Sequence, residues 1–478
     1  MSKRPNILFV MADQLRWDAL GCTGGWVRTP HIDRIASEGV LFPNCVTGSP
    51  VCVSARISLA TGLYCHNTGV WNNGSFTLPV TTPTWMQAIR RAGYRTSLFG
   101  KSHLYPHGRD LRETTHLMNA YGLDDVDEIA GPRASASVVS HMTARWDALG
   151  LWQRYREDYA ERFAHNPFVA RPSPLPLEEY ADVYVGQQAA RYLESYERSE
   201  PWFCWVSFGG PHEPWDAPEP YASMYDPDTM PPPTPVPDWS ERRVQGGLDW
   251  RLQHLPGLSA EDVRAMRANY AGNVTLIDDQ IGEILKVVSA RGELDNTIIA
   301  FTSDHGEFNG DHGLVYKSAF LDGAVRVPLI VRTAQSPASA AGGQRCQAPV
   351  ELADLGPTLV ELAGGELGYQ QFAVSLCPAL DDPASQPRLS ALSELNGEIM
   401  ALTSEWKIAL NRSGEAYMLI DTVNDPDEQR NLAGDPGYGA VKDQLRLHLL
   451  ERLVTSQSYV TATKAILAQW KKAGPSPH

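Results

Sequence analysis

The sequence lacks paired cysteines. Its seven stand at positions 22, 45, 52, 65, 204, 346 and 377, an odd number without a Cys-x-x-Cys pair. That scatter gives no disulfide framework and no zinc pattern, and it suits a reducing compartment. Basic residues are also short: 41 Lys and Arg against 56 Asp and Glu leave a formal charge of −15. A general nucleic-acid binder needs a basic footprint, so no nucleic-acid partner is expected. An acidic protein can still hold an anionic substrate in a locally positive pocket. Long apolar runs are missing too. After Lys3-Arg4 the N-terminus offers only Ile7–Ala12, too short for a signal peptide or a membrane span. No membrane partner and a cytoplasmic location are therefore expected. There is no internal repeat or low-complexity tract.

What is present is ordinary for a globular protein: 478 residues, 43% hydrophobic and 20% charged, enough for one large α/β domain with an appendage. Asn6–Ala12, Thr96–Phe99, Trp202–Ser207, Thr297–Thr302 and Val327–Val331 read as buried strands. Thr29–Glu38, Pro83–Ala92, Leu177–Ser195 and Ser259–Ala290 carry helical signals, with glycine stops at 39 and 93 and Ser259 as an N-cap. This alternation, running to about residue 365, predicts a large, mostly parallel sheet with helices on both faces. Residues 105–175 have little periodicity and read as an insertion over the sheet. Residues 216–258 read as an irregular excursion, longer than a compact domain usually tolerates without a function.

From about residue 385 the pattern changes. Short strand candidates at 389–395, 399–403, 406–410 and 417–420 predict an antiparallel meander closed by a helix over 440–453. The expected division is an α/β domain over 1–375 and a smaller α+β subdomain over 385–478. The tail from Val454 would either cover a neighbouring subunit in a homo-oligomer or pack back on its own chain.

Chemistry-bearing residues gather where strands end. Asp13, Lys101 with His103, His212, and Asp304 with His305 each follow a predicted strand. Open α/β sheets place their active sites at such ends. Taken singly, Asp13 reads equally as a turn residue, Lys101 as a solvated lysine and His212 as a loop residue between two prolines. Ser49–Tyr64 adds one cysteine, Cys52, at the mouth of a helix-compatible run, with Arg56 four residues on. A helix start favours an anion, such as a thiolate or the oxygens of a bound ester, and Arg56 would lie one turn above on the same face. The plain alternative is a buried cysteine at the start of a core helix. Trp71, Tyr105, His107, Trp215 and Trp250 are either an aromatic pocket or separate core and loop anchors.

Ala12-Asp-Gln-Leu-Arg16, Thr29-Pro-His-Ile-Asp-Arg-Ile-Ala36, Ser49-Pro-Val-Cys52 with Arg56 and Thr61-Gly62, Gly100-Lys-Ser-His103, Pro211-His212 and Thr302-Ser-Asp-His-Gly-Glu307 together resemble the sulfatase family of the alkaline phosphatase superfamily. The resemblance runs from Arg4 to Leu432. Asp-Gln at the first segment looks like the branch of choline sulfatases and phosphonate monoester hydrolases, and the Cys-x-x-Ala-Arg order and Asn73 look like the phosphonate monoester hydrolases. Gly-Lys-x-His looks like ordinary sulfatases.

The resemblance implies one divalent metal held by Asp13, Gln14, Asp304 and His305, with residue 52 completing the shell. In the family that residue is a formylglycine made from cysteine by a formylglycine-generating enzyme, and its hydrate is the nucleophile. Arg56 would orient it, Lys101 and His103 would hold the hydrate and the ester oxygens, His212 and Lys317 would meet the leaving group, and Asn73 would contact non-bridging oxygens. Ca²⁺ is the usual family ion. A histidine ligand and only two protein carboxylates point instead toward Mn²⁺, Fe²⁺ or Zn²⁺.

One departure stands inside the maturation signal, Cys-x-Pro-x-Arg in the family, where this chain has Cys52-Val-Ser54-Ala-Arg56. Three outcomes stay open: conversion by a tolerant maturase, an unmodified metal-bound thiolate, or anion binding without hydrolysis. The expected activity is hydrolysis of a small anionic sulfate ester. The alternative is a phosphodiester or phosphonate monoester at the same site, since each presents one negative charge.

Overall fold

A computed structural model of the protein describes residues 4–74, 76–108, 110–165, 169–237, 258–334 and 343–457. Eleven strands precede residue 352: β1 (Asn6–Asp13), β2 (Val40–Leu41), β3 (Cys45–Val46), β4 (Arg95–Gly100), β5 (Asp125–Glu128), β6 (Trp202–Pro211), β7 (Thr297–Ser303), β8 (Arg326–Val327), β9 (Leu329–Arg332), β10 (Gln344–Arg345) and β11 (Val350–Glu351). Eight of them form one sheet in the order β10-β2-β9-β7-β1-β6-β4-β5. Its five strands from β7 to β5 run parallel, and β9 alone runs against its neighbours.

All eight residues of β1 are buried, as its unbroken apolar run requires of a strand covered on both faces. The two faces separate by residue parity. Ile7, Phe9 and Met11 enter a core with Trp85, Phe203 and Trp205, while Leu8, Val10 and Ala12 enter one with Tyr184, Tyr270 and Val274. The second core is roofed by the helices Ala181–Glu194 and Ala260–Ala290. Ser259 caps the latter, its hydroxyl accepting from the Asp262 N–H at 3.0 Å.

Register then brings the strand ends level. Ala12 lies opposite Ser303, Asp13 opposite Pro211, and Gly100 opposite Ser207. Asp13, Lys101, His212 and Asp304 leave the sheet at one edge as a result.

The mostly parallel α/β architecture agrees with the sequence reading; two local expectations do not. Residues 105–175 do more than cover the sheet: they contribute β5, which pairs with β4. Its Asp-Val-Asp-Glu sequence hides it, because an edge strand needs little apolar character. The expected strand Val327–Val331 is two strands broken at Pro328. Proline cannot donate to a ladder, and its carbonyl instead accepts from the Thr302 hydroxyl at 2.8 Å.

The C-terminal meander is present as β12 (Ala391–Leu395), β13 (Glu398–Leu402), β14 (Trp406–Leu410) and β15 (Ala416–Asp421), all antiparallel. Met400, Leu402 and Met418 pack on Phe308, Leu314 and Phe320 of the larger unit. The helix Gly439–Ser456 covers the other face through Leu445 and Leu449. Trp250 and the tail from residue 458 lie outside the described residues. Among those residues no helix is long and apolar enough to cross a membrane.

Candidate active site

Cys52 is the first residue of the helix Cys52–Thr61, which is buried along its whole length. The Asn73 amide oxygen accepts from the Val53 N–H at 3.0 Å, so Asn73 closes one of the helix's open donors. The sulfur lies 3.0 Å from His305 Nε2 and 3.2 Å from Lys317 Nζ. Burial raises every other thiol of the chain. Cys45 and Cys65 are pushed well up, Cys22 and Cys204 to about 12, Cys377 to about 11, and Cys346 rises too. At Cys52 the same burial is outweighed by Lys101, Lys317 and His305, together with a hydrogen bond from His103. Its thiol is held well below the usual value.

Four donors converge beside it. Ligand atoms of Asp13, Cys52, Asp304 and His305 lie within 4.8 Å of one another, and all four residues are buried. Two carboxylates, an imidazole and a thiolate in that space fit a divalent cation. Arg56, one turn along the same helix, commits its guanidinium to partners other than the sulfur. Its Nε donates to Asp304 at 2.7 Å, its Nη2 to Asp13 at 3.2 Å, and its Nη1 to the Lys101 carbonyl at 2.6 Å and the Ser207 hydroxyl at 3.0 Å. The Lys101 ammonium also meets the Asp13 carboxylate. Burial works against the Asp13 anion, yet Lys101, His212 and Arg56 hold its carboxyl far below the ordinary range. Gln14 stands next to this group. Its N–H donates to Asp304 at 3.1 Å and its amide oxygen accepts from Lys317 at 2.5 Å.

Above the cluster opens a cavity of about 760 Å³. Cys52, Lys101, His103, His212, Lys317 and Asn73 all reach it, so every predicted catalytic and substrate-contacting residue except the fully buried Arg56 faces one space. Burial and the neighbouring Lys101 push the His103 ring down to about 3, which leaves it neutral. His212 donates from Nδ1 to the Glu213 carbonyl at 2.8 Å. That contact commits Nδ1 and leaves Nε2 for chemistry.

The backbone here is unusual. Gln14 beside the cluster and His103, Tyr316, Ser318 and Asn396 on the cavity wall hold φ between 50° and 78°, five of the eight non-glycine residues with positive φ among those described. Left-handed backbone at residues with a Cβ stores strain and concentrates at functional sites. Gly100, at φ 112°, is required sterically: a Cβ there would lie 1.8 Å from the Ser207 carbonyl oxygen.

Several wall residues carried no sequence signal. Arg133 pairs with Glu213, and its guanidinium carbon lies 5.3 Å from the Tyr316 ring centre. Asn396, from the turn after β12, accepts from the Asn72 amide at 3.1 Å. Glu128, the last residue of β5, binds the Ser102 hydroxyl and the Tyr105 hydroxyl and takes His107 Nε2 at 3.1 Å. It thereby pins the loop that carries Lys101 and His103. Its position at a strand end was the one available clue. Trp71, Tyr105, His107 and Trp215 do not line the cavity; Trp215 is buried and stacks at 5.7 Å behind Tyr316, the aromatic residue that does.

The sulfatase family profile matches residues 5–365. An arylsulfatase of Clostridium perfringens is 28% identical over 471 residues, which cover 94% of each chain. A choline-sulfatase of Rhizobium meliloti is 27% identical and covers 91% of this chain and 83% of its own. The crystal structure of a phosphonate monoester hydrolase of Agrobacterium radiobacter superposes with a TM-score of 0.76 at 28% identity, covering 95% of this chain and 96% of that one. The match along most of the chain, over a fold and a strand-end site of this kind, settles the family: the chain belongs to the sulfatases.

Proposed function

We propose that the protein is a sulfuric ester hydrolase in which residue 52 carries the nucleophile. The observation that carries this reading is the placement of the Cys52 sulfur on the floor of the cavity, 3.2 Å from Lys317 and within the Asp13–Asp304–His305 cluster. Lys101 and Lys317 present N–H groups to the equatorial oxygens, where charge gathers in the transition state. His212, with Nδ1 fixed on the Glu213 carbonyl, turns Nε2 to the departing alcohol oxygen as the proton donor. Arg56 offsets Asp13 and Asp304 from behind, which keeps the two buried carboxylates close together. A divalent ion, Mn²⁺ or Ca²⁺, held by Asp13, Asp304, His305 and the Gln14 carbonyl oxygen would act as a Lewis acid on the ester. Conversion of Cys52 to formylglycine would supply a hydrate whose first hydroxyl attacks sulfur and whose second expels sulfate, a release that a plain alcohol cannot perform.

A second reading, phosphodiester or phosphonate monoester hydrolysis, is favoured by Gln14 and Asn73 and by the likeness to the phosphonate monoester hydrolase. Metal-loaded protein assayed in parallel on an aryl sulfate, a phosphodiester and a phosphonate monoester separates them. The highest kcat/KM on the sulfate is expected. Turnover of none by folded, matured protein would sink both readings in favour of an anion-binding role. The mass of the Cys52 peptide from the native host reports whether the site carries a thiol or an aldehyde.

A further inference from the structure

Gln14 is fully buried, and each half of its amide is claimed by charge. Nε2 donates to Glu213 Oε2 at 2.7 Å and to Glu307 Oε2; Oε1 accepts from Lys317 Nζ at 2.5 Å. The same ammonium lies 3.2 Å from the Cys52 sulfur, so the amide oxygen faces the nucleophile side and the NH₂ faces away. The reverse orientation would set an oxygen against two carboxylates and an NH₂ against an ammonium. One orientation alone satisfies the contacts.

Both carboxylates are themselves anchored. Glu307 Oε1 accepts from the Asn309 N–H at 2.9 Å and the Tyr316 N–H at 2.5 Å, and Glu213 Oε1 meets Arg133. Each therefore has one oxygen held in place and the other turned to Gln14, and Glu213 Oε2 also lies 3.2 Å from His212 Nδ1.

We infer that Glu213 and Glu307 are positioning residues that make an amide obligatory at position 14 and aim its carbonyl oxygen toward the metal-binding donors. A carboxylate at 14 would bring a third acceptor against two others at a fully buried position. The inference rests on the divalent-metal reading above, but its stability test does not.

The full-length protein serves for both measurements. Thermal unfolding of metal-free Q14E is expected at a clearly lower temperature than wild type. Adding E307Q to it is expected to recover most of that loss, because the amide introduced at position 307 then donates the N–H that the carboxylate at position 14 needs. A Q14E protein as stable as wild type, or a double variant that merely sums two losses, would overturn the clamp. Mn²⁺ affinity by chelator competition is expected to fall about 10–100-fold in E307Q, where the NH₂ of Gln14 loses one of its two carboxylate partners. An unchanged affinity in E307Q would overturn the aiming role. Wild type that binds no Mn²⁺ or Ca²⁺ would refute the metal reading separately and leave the unfolding comparison to decide the clamp. If Q14E cannot be purified folded, the decision passes to E213Q and E307Q, whose metal affinities must both fall.

Discussion

Ser54 is the third residue of the helix that begins at Cys52, and its buried hydroxyl finds no hydrogen-bond partner. The Pro50 carbonyl one turn back accepts instead from the Ser318 N–H at 3.2 Å. First-turn helix positions tolerate proline, whose preset φ removes freedom from the unfolded chain. Ser54→Pro is therefore expected to raise stability by about 0.5–1 kcal/mol in denaturant unfolding. The same change restores the family's maturation signal, so the fraction of residue 52 carrying an aldehyde should rise in peptide mass spectra. An unchanged aldehyde fraction in a stable variant would show that Ser54 does not limit conversion. Asp216 offers a second test at this scale. Burial pushes its carboxyl up to about 7, against the pull of Arg162 and the 3.0 Å hydrogen bond from Tyr180. A folded-state value above the unfolded one means the native protein keeps a proton that the unfolded chain releases above about pH 4. Stability from this group is thus lost as pH rises toward 7. Asp216→Asn, which keeps an acceptor for Tyr180, should be more stable than wild type, with the gain growing by about 1.4 kcal/mol per pH unit. The gain should level off above pH 7, and a gain independent of pH would contradict the assignment.

At the scale of elements, the loop after β4 is shaped by an edge strand. Glu128 at the end of β5 holds Ser102, Tyr105 and His107, and the His107 ring lies 5.0 Å from that of His103. His103 itself has φ 57°, a conformation that needs outside support. Removing the carboxylate with Glu128→Ala should let the loop relax and move Lys101 and His103 from the nucleophile. A loss in kcat on the order of 100-fold is expected, with a smaller change in KM. Glu128→Gln keeps an acceptor for one of the two hydroxyls, Ser102 on Oε1 or Tyr105 on Oε2, and should recover part of the rate. Equal rates in the alanine variant and wild type would remove Glu128 from the positioning of this loop.

For the molecule as a whole, the C-terminal sheet is more than a cap. It sends Asn396 to the cavity wall and places Lys407, fully buried on β14, against Asp322 and Glu428. That ammonium ties the meander to the segment following the site loop of Lys317. Burial opposes its charge, but the two carboxylates hold its pKa above the ordinary lysine value. Lys407→Ala would take the ammonium from the buried Glu428 carboxylate, while Asp322 keeps Arg326 at 2.8 Å, and removing one partner of such a pair costs about 3–5 kcal/mol. The denaturant midpoint should fall accordingly. A loss under about 1 kcal/mol would mean water already reaches the pair.

Much of this was legible in the sequence because strand burial writes itself locally. β1, β6 and β7 are apolar over their length, so their ends, and with them Asp13, His212, Asp304 and His305, could be named without coordinates. The antiparallel meander was equally readable from its short, closely spaced runs. Periodicity reports which residues are covered, though, and not which side chains meet. Arg56 shares a helix face with Cys52 by spacing, yet its bonds go to Asp13 and Asp304, 43 and 248 residues away. Gln14 is held by Glu213 and Glu307, 199 and 293 residues distant, and Glu128 lies on a strand with no apolar signature. Sequence alone determined the apolar central strands, the family and most of the reactive groups. Only the tertiary structure decided their pairings, because a buried charge takes its partner from whichever strand end the sheet register brings within hydrogen-bond reach.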